Sequence, residues 1–238
     1  MSTDGTFTWK GRTGPFDLKL GATVFPPTST SRALADALDI KEGETVIDVG
    51  SGSGVLSFVA ARLGAARVYG VEILKEAVQV ARENAGLLGL ADRVEFRTGS
   101  LFEPVRDVTA SVAIGDVSGI PDELAEVAGW FPGGYAGGPT GAEVPVAMLE
   151  SVGDHLEPGG RLYLPTASIQ DERRVIDTAR RIFGPSNMEP VSEREFPLPG
   201  LVARSREVAR LMAQGFVNLR ARGSRLLWRL AIWRCVRT

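Results

Sequence analysis

The stretch VIDVGSGSGVLS, residues 46–57, constrains the fold of this chain more than any other. It passes from an apolar strand-like run through glycines at 50, 52 and 54 into a second apolar run with helical spacing. A strand that turns directly into a helix is the opening unit of a parallel α/β sheet. Glycines at such a turn let the backbone approach a ligand and take positive φ at little steric cost. Much of the chain repeats the alternation. Helical spacing covers 31–38, a strand 45–49, a helix 55–63 and a strand 67–71. Leu74, Val78, Ala81, Ala85 and Leu88 then recur in steps of four and three, the mark of an amphipathic helix. Strand-like runs return at 94–97, 108–114 and 161–165, separated by helical windows at 122–128 and 144–155. The pattern implies an α/β fold with a doubly wound, mostly parallel sheet.

The two ends break the rhythm. TFTWKGRTGPFDLKLG reads as a small N-terminal β-hairpin around a Gly-Pro turn. GFVNLRARGSRLLWRLAIWRCVRT reads as a C-terminal antiparallel strand pair, and its second arm is apolar enough to lie inside the sheet. The expected division is therefore a hairpin and connecting segment over 1–30, followed by one Rossmann-like domain over 31–238.

Composition narrows the setting. With 44% hydrophobic residues the chain can build a sizeable core. The single cysteine, Cys235, leaves no internal disulfide framework and suits a reducing compartment. The start, MSTDGTFTWKGR, lacks a basic-then-apolar leader, and no long apolar run suggests a membrane span, so a cytoplasmic location is expected. From residue 201 onward there are nine arginines against one acid, Glu207, which leaves the rest of the chain acidic. Such asymmetry raises nucleic acid as a partner, although arginines beside strands more often form a solvated face. With one histidine and one cysteine far apart, a metal site has few ligands to build from, and none is expected.

The phase of the glycines separates two cofactor classes. Dinucleotide binders need G-x-G-x-x-G. Here the third position falls on Val55 when counted from Gly50, and on Ser57 when counted from Gly52. What stands instead is D-x-G-x-G-x-G, from Asp48 to Gly54. That motif, with VYGVEI ending the next strand in Glu72, resembles the Rossmann-like (class I) S-adenosylmethionine-dependent methyltransferases. The resemblance implies that Asp48, Gly50, Ser51, Gly52 and Gly54 wrap the amino-acid half of S-adenosylmethionine and that Glu72 holds the ribose. A carboxylate accepts only, so it can take both ribose hydroxyl protons at once. In RTGSLFEP, Ser100 stands where many relatives carry an acid near the adenine, with Leu101 and Phe102 placed to flank the ring. GATVFPPTSTSRALADAL resembles the segment that covers the cofactor in the branch containing the release-factor glutamine methyltransferases, which brings in Phe25, Thr28 and Ser29.

The fourth strand ends in IGDVSGIPDE, where that branch reads N-P-P-Y-I-P. Ile120 and Pro121 match, but Asp116 replaces the asparagine, and Val117, Ser118 and Gly119 replace the prolines and tyrosine. An ionised aspartate cannot donate to a substrate amide, so it suits an amine, guanidine or hydroxyl better than a glutamine side chain. Asp116 is thus the candidate catalytic residue, aligning the acceptor and taking its proton, or else a cap for the next helix. The resulting expectation is methylation of a nitrogen or oxygen on a small molecule or peptide. The alternatives are an RNA methyltransferase gripping phosphates with its arginines, and an inactive cofactor-binding subunit. The glycine-rich segment 129–141, with Trp130, Phe131 and Tyr135, reads either as a lid or as a plain connection. The sole histidine, His155, is expected to be a helix-end cation without further role.

Overall fold

The computed structural model describes residues 5–21, 24–131 and 136–238. A hairpin of β1 (Gly5–Trp9) and β2 (Phe16–Leu20) pairs antiparallel, with Trp9 opposite Phe16. Helix α1 (Ser29–Ala37) leads into β3 (Thr45–Val49), α2 (Val55–Leu63), β4 (Arg67–Glu72), α3 (Lys75–Leu87), β5 (Val94–Thr98) and β6 (Ala110–Gly115). Two helices, α4 (Asp122–Ala128) and α5 (Glu143–Val152), precede β7 (Leu156–Ala167). Then come α6 (Glu172–Phe183), β8 (Met188–Pro197), α7 (Gly200–Ala203), α8 (Arg206–Ala213), β9 (Arg220–Arg222) and β10 (Arg225–Val236).

The main sheet runs β5-β4-β3-β6-β7-β10-β8, with β9 attached to β10. Strands β3 to β7 are parallel, and β10 runs antiparallel between β7 and β8. The chain first winds outward from β3 to β5, then returns to the other side of β3 to lay down β6. That reversal opens a crevice at the carboxyl ends of β3 and β6, the place where open α/β sheets bind ligands.

Strand β3 is covered on both faces, which is why its sequence is an unbroken apolar run around Asp48. Val46 joins one core with Trp9, Phe16, Leu18, Leu34, Phe58, Val78 and Phe96. Ile47 and Val49 join the other with Met148, Leu149, Val175, Ala179 and Phe183. Three hairpin side chains are therefore part of the first core. A third cluster, with Leu124, Val202, Val208 and Leu211, unites α4, α7 and α8.

Helix α6 and strand β8 lie in a stretch where no element is expected from periodicity. Val175, Ala179 and Phe183 recur every four residues and bury one face of α6. Strand β8 carries MEPVSEREFP and is mostly exposed at the sheet edge, so no apolar alternation marks it. It is the main partner of β10 on that side, whereas β9 supplies only three residues. Among the described residues, four of the nine arginines of the C-terminal region pair with acids, three of them at this sheet edge and Arg210 between α8 and α4. Arg229 pairs with Glu172 and Glu193, Arg220 with Glu195, Arg234 with Glu189 and Arg210 with Glu123. Among the described residues no helix is long and apolar enough to cross a membrane.

Candidate active site

The three glycines after β3 are needed for three different reasons. Gly50, at φ 80°, presses against the β6–α4 loop: a Cβ there would lie 2.6 Å from the Asp116 carbonyl oxygen. Gly54, at φ 89°, is the cap of α2, and a Cβ would strike Phe58 and Phe96 at 2.7 Å. Gly52, at φ 51°, would meet nothing within 4 Å, because its open side faces the cavity. The turn is fixed by backbone bonds. Gly50 N and Ser51 N both donate to Val71 O, at 2.9 and 3.0 Å, and Gly54 N donates to Ser51 O at 2.8 Å. Gly54 itself does not line the cavity; it lets the helix start where it does.

A cavity of about 780 Å³ opens at this crevice. Its walls include Phe25, Thr28, Ser29, Asp48, Gly50, Ser51, Gly52, Glu72, Ser100, Leu101 and Asp116. The expected site residues thus meet one space, apart from Gly54 and Phe102. Glu72 Oε2 accepts from Gly52 N at 3.1 Å and Oε1 from Leu74 N at 3.0 Å, so the carboxylate is anchored beside the glycine turn. A carboxylate oxygen offers two lone pairs, and each of these keeps one for a ligand hydroxyl. Leu101 adopts φ 49°, a strained value for a branched residue, which turns it toward the cavity. Phe102 does not flank that space. It is 3% exposed and stacks on His155 at 4.6 Å, so both rings belong to the core, and His155 Nδ1 lies 3.2 Å from Val108 O.

Asp116 does not cap α4, whose N-cap is Pro121 with no side-chain bond. Its Oδ2 accepts instead from Ser31 Oγ at 3.0 Å. Ser31 sits in the first turn of α1, where Thr28 Oγ1 accepts from Thr30 N and Ser31 N, and Ser31 Oγ accepts from Thr28 N. This reciprocal cap ties the segment over the cavity to the candidate catalytic carboxyl. Burial raises Asp116 to about 6, partly offset by the Ser31 bond. Asp48 is fully buried and raised further, to about 7. Desolvation leads, the Ser57 hydroxyl at 2.6 Å opposes it, and the charges of Asp116 and Glu72 add to it.

Two positioning residues had gone unnoticed in the sequence. Ser31 is one. Asn84 of α3 is the other: its Oδ1 accepts from Lys19 N at 2.8 Å, and its Nδ2 donates to Lys19 O and Ser53 O at 3.1 Å. It joins the hairpin to the glycine turn, and a fully buried asparagine between Ala81 and Ala85 is the signal that could have found it. Trp130 and Phe131 line the cavity, and Phe131 stacks on Phe25 at 4.7 Å, joining the start of the α4–α5 connection to the segment before α1. Tyr135 lies outside the described residues.

The site is acidic and holds unpartnered polar atoms. Asp48, Glu72, Asp116 and Glu143 line it, with no Lys, Arg or His among the lining residues. Asp48 Oδ1, Ser51 Oγ, Ser53 Oγ, Ser118 Oγ and Gln170 Nε2 are buried there without a partner among the described residues. Buried polar atoms are normally satisfied, so these mark a place built for a polar ligand. The charge sign suits a cation and disfavours a pyrophosphate.

Comparison with known proteins agrees with this geometry. Residues 21–114 match the profile of the family described as "Ribosomal protein L11 methyltransferase (PrmA)". The ribosomal protein L11 methyltransferase of Pectobacterium atrosepticum is 37% identical over 123 residues, covering 50% of this chain and 41% of that protein. The match thus spans about two-fifths of that relative's length. The solved ribosomal protein L11 methylase of Lactobacillus delbrueckii subsp. bulgaricus aligns with TM-score 0.56 and 16% identity, over 90% of this chain and 82% of that one. Methanocaldococcus jannaschii Trm5, solved with adenosine, aligns with TM-score 0.59 and 13% identity, over 99% and 57%. The fold is that of the Rossmann-like S-adenosylmethionine-dependent methyltransferases. Within that class, residues 21–114 are similar to the ribosomal protein L11 methyltransferases, and the matched profile stops two residues short of Asp116.

Proposed function

We propose that this chain binds S-adenosylmethionine in the crevice beyond β3 and methylates a nitrogen or oxygen of a small molecule or peptide. One observation carries the reading: the open face of Gly52, the anchored Glu72 carboxylate and Asp116 converge on one acid-lined cavity with no cationic side chain among the described residues that line it. The fit with the cofactor is chemical as well as topological. A sulfonium and an α-ammonium are cations, Glu72 has acceptor capacity for two ribose hydroxyls, and Asp48 Oδ1 and Ser51 Oγ are unmatched. Gly50, Ser51 and Gly52 would hold the amino-acid half, Ser100 and Leu101 the adenine side, and Phe25 and Thr28 the cover.

When bound, the cofactor supplies a methyl group already activated on sulfur. What remains for the protein is alignment and one proton. Asp116, ionised above about pH 6, accepts a bond from the acceptor's N–H or O–H and takes that proton as the new bond to carbon forms. Ser31 keeps its carboxyl in place.

The kinship with the release-factor branch rests on the entry segment 21–38, on Ile120 and Pro121, and on the segment 135–165, with the asparagine-proline wall replaced by Asp116, Val117, Ser118 and Gly119. That replacement argues against glutamine as acceptor. The relatives named for ribosomal protein L11 keep a peptide acceptor in view. The arginine region supports an RNA substrate poorly, since Arg210, Arg220, Arg229 and Arg234 already pair with acids of this chain.

The direct test is calorimetric titration of the purified chain with S-adenosylhomocysteine. Wild type should bind, and Glu72→Ala should lose about 100-fold in affinity, as expected for charged hydrogen bonds removed from a partly buried site. Equal affinity in both proteins, or none in wild type, rejects the assignment.

A further inference from the structure

Past Asp116 the cavity changes character. Ile120, Pro165, Ile169, Trp228 and Leu230 supply an apolar wall that includes one aromatic side chain. Gln170, in the loop between β7 and α6, joins Ser118, Glu143 and Thr166 as a polar member of this end. It is 3% exposed, and its Nε2 has no partner among the described residues. The surrounding backbone is shaped around this side chain. A Cβ at Gly119 would lie 2.3 Å from Gln170 Oε1, and one at Gly141 would lie 2.9 Å from Gln170 Cβ. Two glycines, from the loops before α4 and before α5, thus leave the slot the amide occupies. A buried amide N–H without a partner is a standing cost, relieved when a ligand oxygen or nitrogen arrives.

The charges at this end also select. Glu143 is already engaged: its carboxylate accepts from Thr140 N and Oγ1 and pairs with Arg174 at 2.8 Å. Asp116 is the carboxyl left to meet an acceptor, and among the described residues no cationic side chain lines the cavity. A carboxylate or phosphate placed here would lose its hydration and face a like charge.

We propose that Gln170 selects the methyl acceptor, a neutral aromatic compound that presents an O–H or N–H to Asp116 and a hydrogen-bond acceptor such as a carbonyl oxygen to Gln170 Nε2. The proposal rests on the methyl-transfer reading above and narrows its substrate to small, flat, uncharged molecules. In the transfer the S–CH₃ bond breaks with its electron pair left on sulfur. The acceptor's O–C or N–C bond forms, and the displaced proton passes to the Asp116 carboxylate and on to solvent.

The test uses the full chain saturated with S-adenosylhomocysteine and titrated with three probes of one ring size: 4-hydroxyacetophenone, 4-ethylphenol and 4-hydroxybenzoate. In wild type the carbonyl probe should bind about tenfold more tightly than the ethyl probe, the worth of one buried hydrogen bond, and the anion weakest. Gln170→Leu should bring the first two within about twofold, and Gln170→Glu should turn the preference against the carbonyl. Unchanged S-adenosylhomocysteine affinity in all three proteins reports an intact fold. The inference is overturned if 4-hydroxybenzoate binds best, if Gln170→Leu keeps the full preference, or if no probe binds while S-adenosylhomocysteine does. Failure of S-adenosylhomocysteine to bind wild type would instead remove the methyl-transfer reading itself.

Discussion

The two ends of the cavity are made of different material. Around β3 and β4 the surface is largely backbone: Gly50 and Ser51 lock onto Val71 O, and Gly52 N onto Glu72. Beyond Asp116 it is largely side chain, with Trp228, Leu230, Ile169 and Gln170 in the wall. A backbone surface demands particular residues, because glycine takes these φ values and close approaches at the least steric cost. A side-chain surface accepts many residues of suitable size, so its chemistry can change without altering the fold. The profile match to L11 methyltransferases covers residues 21–114, the backbone-built end, and stops before the other begins. Similarity therefore speaks to the cofactor, and the acceptor has to be read from the cavity.

Asp116 stands on the seam, and removing its charge should have the largest effect. Asp116→Asn is expected to lower the methyl-transfer rate by about 10²–10⁴-fold, the usual worth of a positioned base. S-adenosylhomocysteine affinity should stay within a few-fold. In wild type the rate should rise with pH through about 6 as the carboxyl ionises, and the variant should lack that limb. A variant that keeps the rising limb would assign it to another group and dissolve the boundary drawn here.

The glycine turn offers a contrast within one motif. Gly50→Ala forces a Cβ to 2.6 Å from the Asp116 carbonyl at φ 80°. It should cost about 3 kcal/mol of stability, combining backbone strain with overpacking, and displace the acceptor end as well. Gly52→Ala meets no atom within 4 Å, so its stability cost should be the strain alone, about 1 kcal/mol. Its methyl group nevertheless points into ligand space, and cofactor affinity should fall by more than about tenfold. Denaturant unfolding and calorimetry on the same samples separate the two; equal stability losses would show that Gly52 is not open.

Legibility divides along the same line. Strand β3 and helix α2 follow their apolar periodicities, and Glu72 is found because it ends an apolar strand at a fixed distance from the glycine motif. Strand β8 was invisible because its pairing with β10 is sustained by Glu189, Glu193 and Glu195 facing arginines, so its sequence reads as a charged loop. The same pairs answer three of the nine arginines of the C-terminal region, Arg220, Arg229 and Arg234, across the sheet edge. Gln170 carried no signal: it lies in a loop, and its importance comes from glycines 51 and 29 positions away in the chain. Ser31 was placed in a helix, but its partner lies 85 residues on.

A smaller effect tests the buried carboxyl at the root of the site. Asp48 is raised to about 7 in the fold, against an ordinary value near 3.8. Between those values the folded chain binds more protons than the unfolded one, so this group makes stability fall as pH rises through that window. Asp116 adds the same sign up to about 6. Asp48→Asn should flatten the decline between about pH 4 and 7 when unfolding free energy is measured in urea. If stability declined as steeply in the variant, Asp48 would not be the proton acceptor.

The smallest expected effect is the sharpest on the acceptor end. Ser118 Oγ is buried at the cavity without a partner among the described residues, so it stabilises nothing in the free protein. Ser118→Ala should leave unfolding free energy unchanged or raise it by up to about 1 kcal/mol, since an unpaired hydroxyl is removed. Cofactor affinity should not move, because Ser118 follows Asp116 on the loop beyond β6. If the hydroxyl contacts the acceptor, KM for that molecule should rise several-fold with kcat nearly constant, the pattern of lost uniform binding. A loss of S-adenosylhomocysteine affinity in its place would mean that the cofactor reaches past Gly50, and the two ends of the cavity would be one.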